Sequence, residues 1–360
     1  MVPDPLPLHE LRRALVIKLR HHGDVLLASP VLSVLKNRAP QIEVDALVYA
    51  DTAEMLSLHP ALAQLFVIDR QWKRLGLVAQ ISREAALLRD LRARRYDLVI
   101  HLTEHWRGAW ITRLSDARWS VAAEVRGRGK FWRRSFTHLV RQPRAGGRHV
   151  VETNLDALRR LGLYPQMDER RLVMVPGIEA ELEVDALLGP LKLSSKGFVH
   201  VHPASRWQFK CWPAEKMAEL IGRLQADGWP VLLTAGPDSG ELAMIEAIQA
   251  RLTQPALSLA GRLSLKQLAA LTARARLFVG VDSAPMHIAA AMQTPVVALF
   301  GPSGDNLWGP WTARQRVIAN NDYGCRPCGI DGCGGSKVSD CLVTLPVESV
   351  LAACRDLLAA

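Results

Sequence analysis

Short apolar runs alternate with amphipathic stretches along most of this chain. Continuous apolar segments at 14–19, 43–49, 65–68, 97–101 and 118–122 predict strands buried on both faces. Helical spacing at 25–37 and 77–94 predicts helices between them. A second series starts near Gly197, with strands at 198–202, 230–234, 257–259, 277–281 and 295–300. Helices at 213–227, 238–252, 264–275 and 284–292 separate those strands. Alternation of this kind builds a parallel sheet covered by helices, and its double occurrence predicts two doubly wound α/β domains. The polar, Gly- and Pro-containing stretch from Pro176 to Lys196 is the expected boundary. The expected division is 1–185, 186–345 and a last helix at 346–360, which follows a long loop and is free to pack back on the first domain. Ligands bind at the carboxyl ends of such strands. Two domains of this kind predict a cleft, with Asp24 on one wall and Asp282 on the other.

Composition narrows the class. The chain has 360 residues, 49% hydrophobic and 22% charged, which describes a globular protein with room for two full cores. No apolar run approaches the ~20 residues of a membrane-spanning helix, and Met1–Pro5 lacks the basic-then-apolar pattern of a secretory signal. The expected location is the cytoplasm. Net charge is +10 but unevenly placed: Arg70 to Arg148 holds 19 Lys and Arg against 6 Asp and Glu. Part of this excess is a solvated helix face at Arg83–Arg95, whereas Arg126–Arg134 reads as a flexible basic loop. Arginine grips phosphate and carboxylate with a bidentate fork, so an anionic partner is expected: nucleic acid, an anionic membrane surface or a phosphorylated acceptor. No nucleic-acid-binding motif is present, which ranks that partner last. Cys325, Cys328, Cys333 and Cys341 lie close enough in sequence for one structural zinc or for a loop of reduced, half-buried thiols.

Four strand ends carry candidate chemistry. The segment Leu277 to His287 reads as a strand stopping at Gly280 and Val281, then Asp282, small Ser283 and Ala284, and Pro285 at a helix start. Small residues leave the first helical N–H groups uncovered, an arrangement suited to a diphosphate, although Asp282 could equally be a simple cap. The first strand runs into Arg20-His21-His22-Gly23-Asp24, one glycine beside one carboxylate, without a G-x-G-x-x-G fingerprint. After the second domain's first strand, His202 to Pro213 offers Ser205 and Lys210 between tryptophans at a helix start, without a Walker A order. Thr234-Ala235-Gly236-Pro237-Asp238 is followed by Glu241, where a carboxylate either bonds a ribose hydroxyl or begins a helix. Two aspartates two positions apart occur nowhere, so the Asp-x-Asp metal signature is missing and no metal or cofactor is expected.

Taken together, Ile17-Lys18-Leu19 to Gly23-Asp24, Lys210-Cys211-Trp212-Pro213 and Val281-Asp282 to His287 resemble bacterial lipopolysaccharide heptosyltransferases. The cysteine loop running into Gly334–Leu342 looks most like the heptosyltransferase III branch. The resemblance spans about residues 12–358 and implies a GT-B fold of two Rossmann-like domains. It implies inverting, metal-independent transfer of L-glycero-D-manno-heptose from ADP-heptose to the lipopolysaccharide inner core, at the cytoplasmic face of the inner membrane. By family position Asp24 is the base, and Lys18 and Gly23 in the same segment are expected to bind substrate. Lys210 and Ser205 contact the diphosphate with the Ser283 and Ala284 amides, Asp282 the sugar and Glu241 the ribose, and His287 is the family's helix histidine. Arg133 and Arg134 are the expected acceptor and membrane contacts. One departure is Ala204-Ser205, where relatives carry two threonines; Ala204 has no hydroxyl to offer. Alternatives are a GT-B transferase with another nucleotide-sugar donor, less favoured a basic nucleic-acid-binding protein, and third an inactive sugar-nucleotide sensor, which retained Asp24 and Lys210 disfavour.

Overall fold

The computed structural model describes residues 6–141 and 147–359. Residues 1–5, on which the lack of a leader was read, and part of the basic stretch at 142–146 lie outside the described residues. The chain divides into two compact units, 1–174 and 175–360. The division falls eleven residues before the expected 185/186 boundary, because residues 176–196 are not a linker: they hold a helix of the second unit.

The first unit runs β1 (Arg13–Ile17), α1 (His22–Leu26), α2 (Ser29–Arg38), β2 (Glu43–Tyr49), β3 (Leu62–Ile68), α3 (Leu77–Ala93), β4 (Leu98–His101), α4 (Trp106–Leu114), β5 (Trp119–Ala123), α5 (Gly129–Arg133), β6 (His138–Val140) and α6 (Val150–Arg160). Its six strands pair in the order β3-β2-β1-β4-β5-β6. The single helix expected at 25–37 is two, because Pro30 near the start of α2 has no N–H to continue the ladder from α1. The expected basic loop at 126–134 contains α5, whose Trp132 is fully buried and donates its indole N–H to the Ala123 carbonyl.

The second unit runs α7 (Ile178–Leu188), β7 (Val199–His202), α8 (Ala214–Ala226), β8 (Val231–Leu233), α9 (Ser239–Gln249), β9 (Leu257–Ser258), α10 (Leu265–Arg274), β10 (Leu277–Val281), α11 (Ala284–Ala291), β11 (Val296–Phe300), α12 (Asp305–Trp308), β12 (Gln315–Ala319), α13 (Asp340–Val343) and α14 (Val347–Ala359). Its strand order, β12-β11-β10-β7-β8-β9, repeats that of the first unit. Listed from each unit's own first strand, both are the 3-2-1-4-5-6 arrangement of a Rossmann sheet, and every pairing is parallel. The central strands are buried on both faces, as their unbroken apolar runs require. Helix α14 lies on α8 and on β10–β12 of its own unit. Its Val350, Leu351, Cys354 and Leu357 join the core of Val199, Trp212, Val279 and Leu299. The C-terminal helix therefore packs on the second unit, not on the first as the sequence allowed.

In a 3-2-1-4-5-6 sheet the chain leaves the two middle strands in opposite directions, which opens a crevice at their carboxyl ends. In the first unit those strands are β1 and β4, in the second β7 and β10. Lys18, Gly23 and Asp24 follow β1, Ser205 and Lys210 follow β7, and Asp282 to His287 follow β10, whereas Glu241 follows β8 and Arg133 and Arg134 follow β5.

Candidate active site

In the first unit, β1 is followed at once by Lys18, whose ammonium is buried and donates to the Leu102 carbonyl at 3.1 Å and to Asn154 Oδ1 at 3.0 Å. Asn154, on α6, donates in turn to the Leu27 carbonyl at 2.9 Å, so one buried polar chain ties β1, the segment after β4 and the end of α1. Burial pulls the Lys18 pKa down to about 8, with the Asp24 charge opposing the shift. The Leu19 N–H donates to Thr103 Oγ1 across the same two strands at 3.2 Å. Gly23 and Asp24 occupy the first turn of α1. The Asp24 side chain is only 14% exposed, with Arg20 Nε at 3.8 Å. Neighbouring His101, at the end of β4, lies among Trp132 and Phe136, and burial drops its pKa to about 3. It also explains Gly108: a Cβ there would stand 1.8 Å from the His101 ring.

In the second unit, β7 leads to Ala204 and Ser205, both buried, and then to the short turn Gln208–Lys210. Ser205 Oγ accepts from the Trp207 N–H at 3.2 Å. Fully buried Trp212 and the Phe209 carbonyl, which accepts from Ser339, fix the far end of this loop. Lys210 Nζ donates to Asp282 Oδ2 at 2.6 Å, joining two residues 72 positions apart across the β7/β10 crevice. Asp282 is thus no helix cap. Ser283 takes the N-cap position of α11 without bonding it; its hydroxyl donates instead to the Val281 carbonyl. Ser283, Ala284 and Pro285 are half-buried, whereas His287 one turn further is buried. A cation and the positive end of a helix of small residues meet there, and both favour a bound diphosphate. Gly280 lies under this point, since a Cβ there would stand 2.9 Å from the His202 carbonyl oxygen.

After the neighbouring strand β8, Asp238 caps α9 by accepting from the Gly240 N–H. Glu241 accepts from the Gly236 N–H at 2.8 Å and lies 3.9 Å from His202 Nε2. The structure therefore brings Lys210, Asp282, Ser205 and the start of α11 to one sheet edge. Arg133 and Arg134 stand apart from Asp24 in the first unit's sequence order, exposed at the end of α5. Asn154 and Thr103 were not singled out by sequence, because a lone Asn on a helix and a Thr after a strand carry no pattern of their own.

The profile of glycosyltransferase family 9 (heptosyltransferase) matches residues 84–338. The Escherichia coli protein lipopolysaccharide heptosyltransferase 3 is 38% identical over 311 residues, 85% of this chain and 88% of that protein. The chain belongs to glycosyltransferase family 9. Among solved structures, the family 9 glycosyl transferase of Veillonella parvula superposes with a TM-score of 0.82 at 23% identity, covering 100% of this chain and 99% of that one. The Escherichia coli heptosyltransferase WaaC with ADP gives 0.73 at 22% identity, covering 96% and 99%. The fold is accordingly GT-B-like, and this family 9 member is a glycosyltransferase.

Two further features concern the cysteines and the helices of this glycosyltransferase. Cys325, Cys328, Cys333 and Cys341 are free thiols, and among the described residues no group of three or more His, Cys, Asp or Glu could hold a metal ion. Among the described residues no helix is long and apolar enough to cross a membrane.

Proposed function

We propose that this protein transfers L-glycero-D-manno-heptose from ADP-heptose to the inner core of lipopolysaccharide, with inversion at the anomeric carbon and without a metal. The observation that carries the reading is the Lys210–Asp282 pair at 2.6 Å beside the amide-bearing start of α11. In this proposal Asp24 takes the proton of the acceptor hydroxyl while that oxygen bonds the anomeric carbon and the bond to ADP breaks. Lys210, Ser205 and the Ser283 and Ala284 amides receive the charge that builds on the departing diphosphate. Asp282 holds both the lysine and the heptose hydroxyls, and Glu241 has a second carboxylate oxygen for the ribose. Lys18, expected to bind substrate, is buried and bonded to Leu102 and Asn154, so it acts as a positioning residue whose charge is felt by Asp24. His287 supports the first turn of α11. The acceptor reaches the basic first unit, where Arg133 and Arg134 meet its phosphates and the anionic cytoplasmic face of the inner membrane.

The relative named lipopolysaccharide heptosyltransferase 3 supports this acceptor class, and the ADP held by WaaC supports the adenine nucleotide. Mass spectrometry of truncated lipopolysaccharide acceptors after incubation with ADP-heptose and EDTA tests it. One added heptose per acceptor is the expected product. Transfer from a different nucleotide sugar only, or loss of activity that divalent metal restores, would overturn the donor or the metal-free mechanism respectively.

A further inference from the structure

The first unit leaves large apolar side chains uncovered on one face. At the start of α3, Leu77, Val78 and Ile81 are 73%, 83% and 58% exposed, and on α4 Trp106 and Trp110 are 40% and 54% exposed. Between these helices runs a groove of about 380 Å³ lined by Leu77, Ile81, Leu88, Trp110 and Leu114. The Trp110 ring lies 4.6 Å from Phe131, which carries the patch onto α5. Contiguous apolar surface of this kind marks a docking site more often than scattered exposed leucines do.

The charged groups around the patch are mostly cationic. Arg128 lies over the Trp106 ring at 4.6 Å and Arg113 over Phe131 at 4.9 Å. Residues 70–83 and 125–137, which contribute Leu77, Val78, Ile81 and Phe131 to the patch, hold nine Lys and Arg, with Asp69, Glu84 and Glu124 just outside them. Arg70 is balanced by Asp51, and the groove's own Glu84 by Arg107 at 2.5 Å. His105, the N-cap of α4, feels this field: burial lowers its pKa, and the Arg107, Lys73 and Arg128 charges lower it further.

A second copy of the same face would bring like charges together, which disfavours self-association through it. An anionic bilayer complements both halves of the patch: its acyl boundary takes Leu, Val and Ile, its headgroup level takes Trp, and its phosphates take the cations. We propose that the α3–α4 face is the surface on which this protein docks to an anionic lipid bilayer. Leu77, Val78 and Ile81 enter the acyl boundary, and Trp106 and Trp110 lie at the headgroups. The inference rests on the lipid-borne acceptor proposed above and deepens it, by moving the anchor from Arg133 and Arg134 alone to the apolar surface beside them.

Flotation of the full-length protein with vesicles of phosphatidylethanolamine and phosphatidylglycerol, against vesicles of phosphatidylcholine alone, tests the surface. The protein is expected to favour the anionic vesicles by at least ~10-fold. A Leu77→Asp/Val78→Asp variant is expected to lose that preference while keeping the wild-type circular dichroism, thermal midpoint and turnover on a delipidated, water-soluble core oligosaccharide. Unchanged flotation of the variant overturns the proposal. So does a parallel fall in turnover on the soluble acceptor, which would make the face part of the acceptor pocket, or a substitution-dependent change from dimer to monomer. Vesicle binding by this face without any heptose transfer would support the docking surface and strike the proposed function instead.

Discussion

Asp24 and the Lys210–Asp282 pair each lie where a central strand hands over to a helix, and their side chains are mostly withdrawn from water. The Asp24→Asn variant keeps the size and hydrogen-bonding reach of the side chain but cannot accept a proton. Turnover is expected to fall ~10²-fold or more with donor KM nearly unchanged, as read by steady-state kinetics on folded protein; near-normal turnover would remove Asp24 from the base role. Buried imidazoles dictate a second outcome. Burial lowers the pKa of His59 to about 4, of His101 to about 3 and of His202 to about 4, and holds His200 well below the usual value. The unfolded chain takes up protons at these sites below pH ~6.5 and the folded chain does not, so stability is lost as pH falls from 6.5 towards 4. Each imidazole contributes up to about 1.4 kcal/mol per pH unit within that window. The urea midpoint should drop steeply from pH 7 to 4.5, and a flat midpoint would contradict neutral burial. At this scale the sequence displayed Lys210, Asp282 and Asp24 through the small residues, glycines and prolines around them. The Lys210–Asp282 bond and the Lys18–Asn154 chain were illegible, because each joins distant segments that only the sheet order brings together.

Elements whose chemistry is uniform were the legible ones. The central strands and α8–α11 match their apolar patterns to within a few residues, since double-sided burial demands unbroken Val, Ile and Leu. Strands β6 and β12 escaped notice because they are short edges with mixed or half-exposed residues. Helix α5 hides in a run of Arg and Gly, and only the burial of Trp132 reveals why it folds. Helix α14 was visible, but its docking partner was not, since an amphipathic face does not name the surface it covers. Its burial on the second sheet makes it part of that core: Leu351 is fully buried, and burial pushes the Cys354 thiol up to about 12. Leu351→Ala is expected to cost about 2–5 kcal/mol, measured by urea denaturation. A loss below ~0.5 kcal/mol would mean that α14 is only loosely attached.

Over the whole molecule, the same strand order occurs twice and the charge does not. Residues 1–174 carry 29 Lys and Arg against 18 Asp and Glu, and residues 175–360 carry 16 against 17. The acceptor site proposed for the first unit is open to screening, whereas the cation proposed for the donor, Lys210, is partly buried and paired. Raising salt from about 50 to 500 mM should therefore raise acceptor KM several-fold and donor KM much less. Equal sensitivity of both would count against that assignment. Two parallel sheets were legible from the alternation alone; the boundary was misplaced because α7, with its four acidic residues, is bracketed by Pro176-Gly177 and Gly189-Pro190, which resemble a linker although Ala180, Val184 and Leu188 are buried. With α14 returned to its own unit, the backbone passes between the two compact units a single time, near Met174 and Val175. A chain threaded once has one natural seam. Chimaeras of family 9 enzymes joined at that peptide would inherit each half with its hydrophobic interior whole, and exchange of acceptor preference with the first half alone would bear out the proposed roles of the two units.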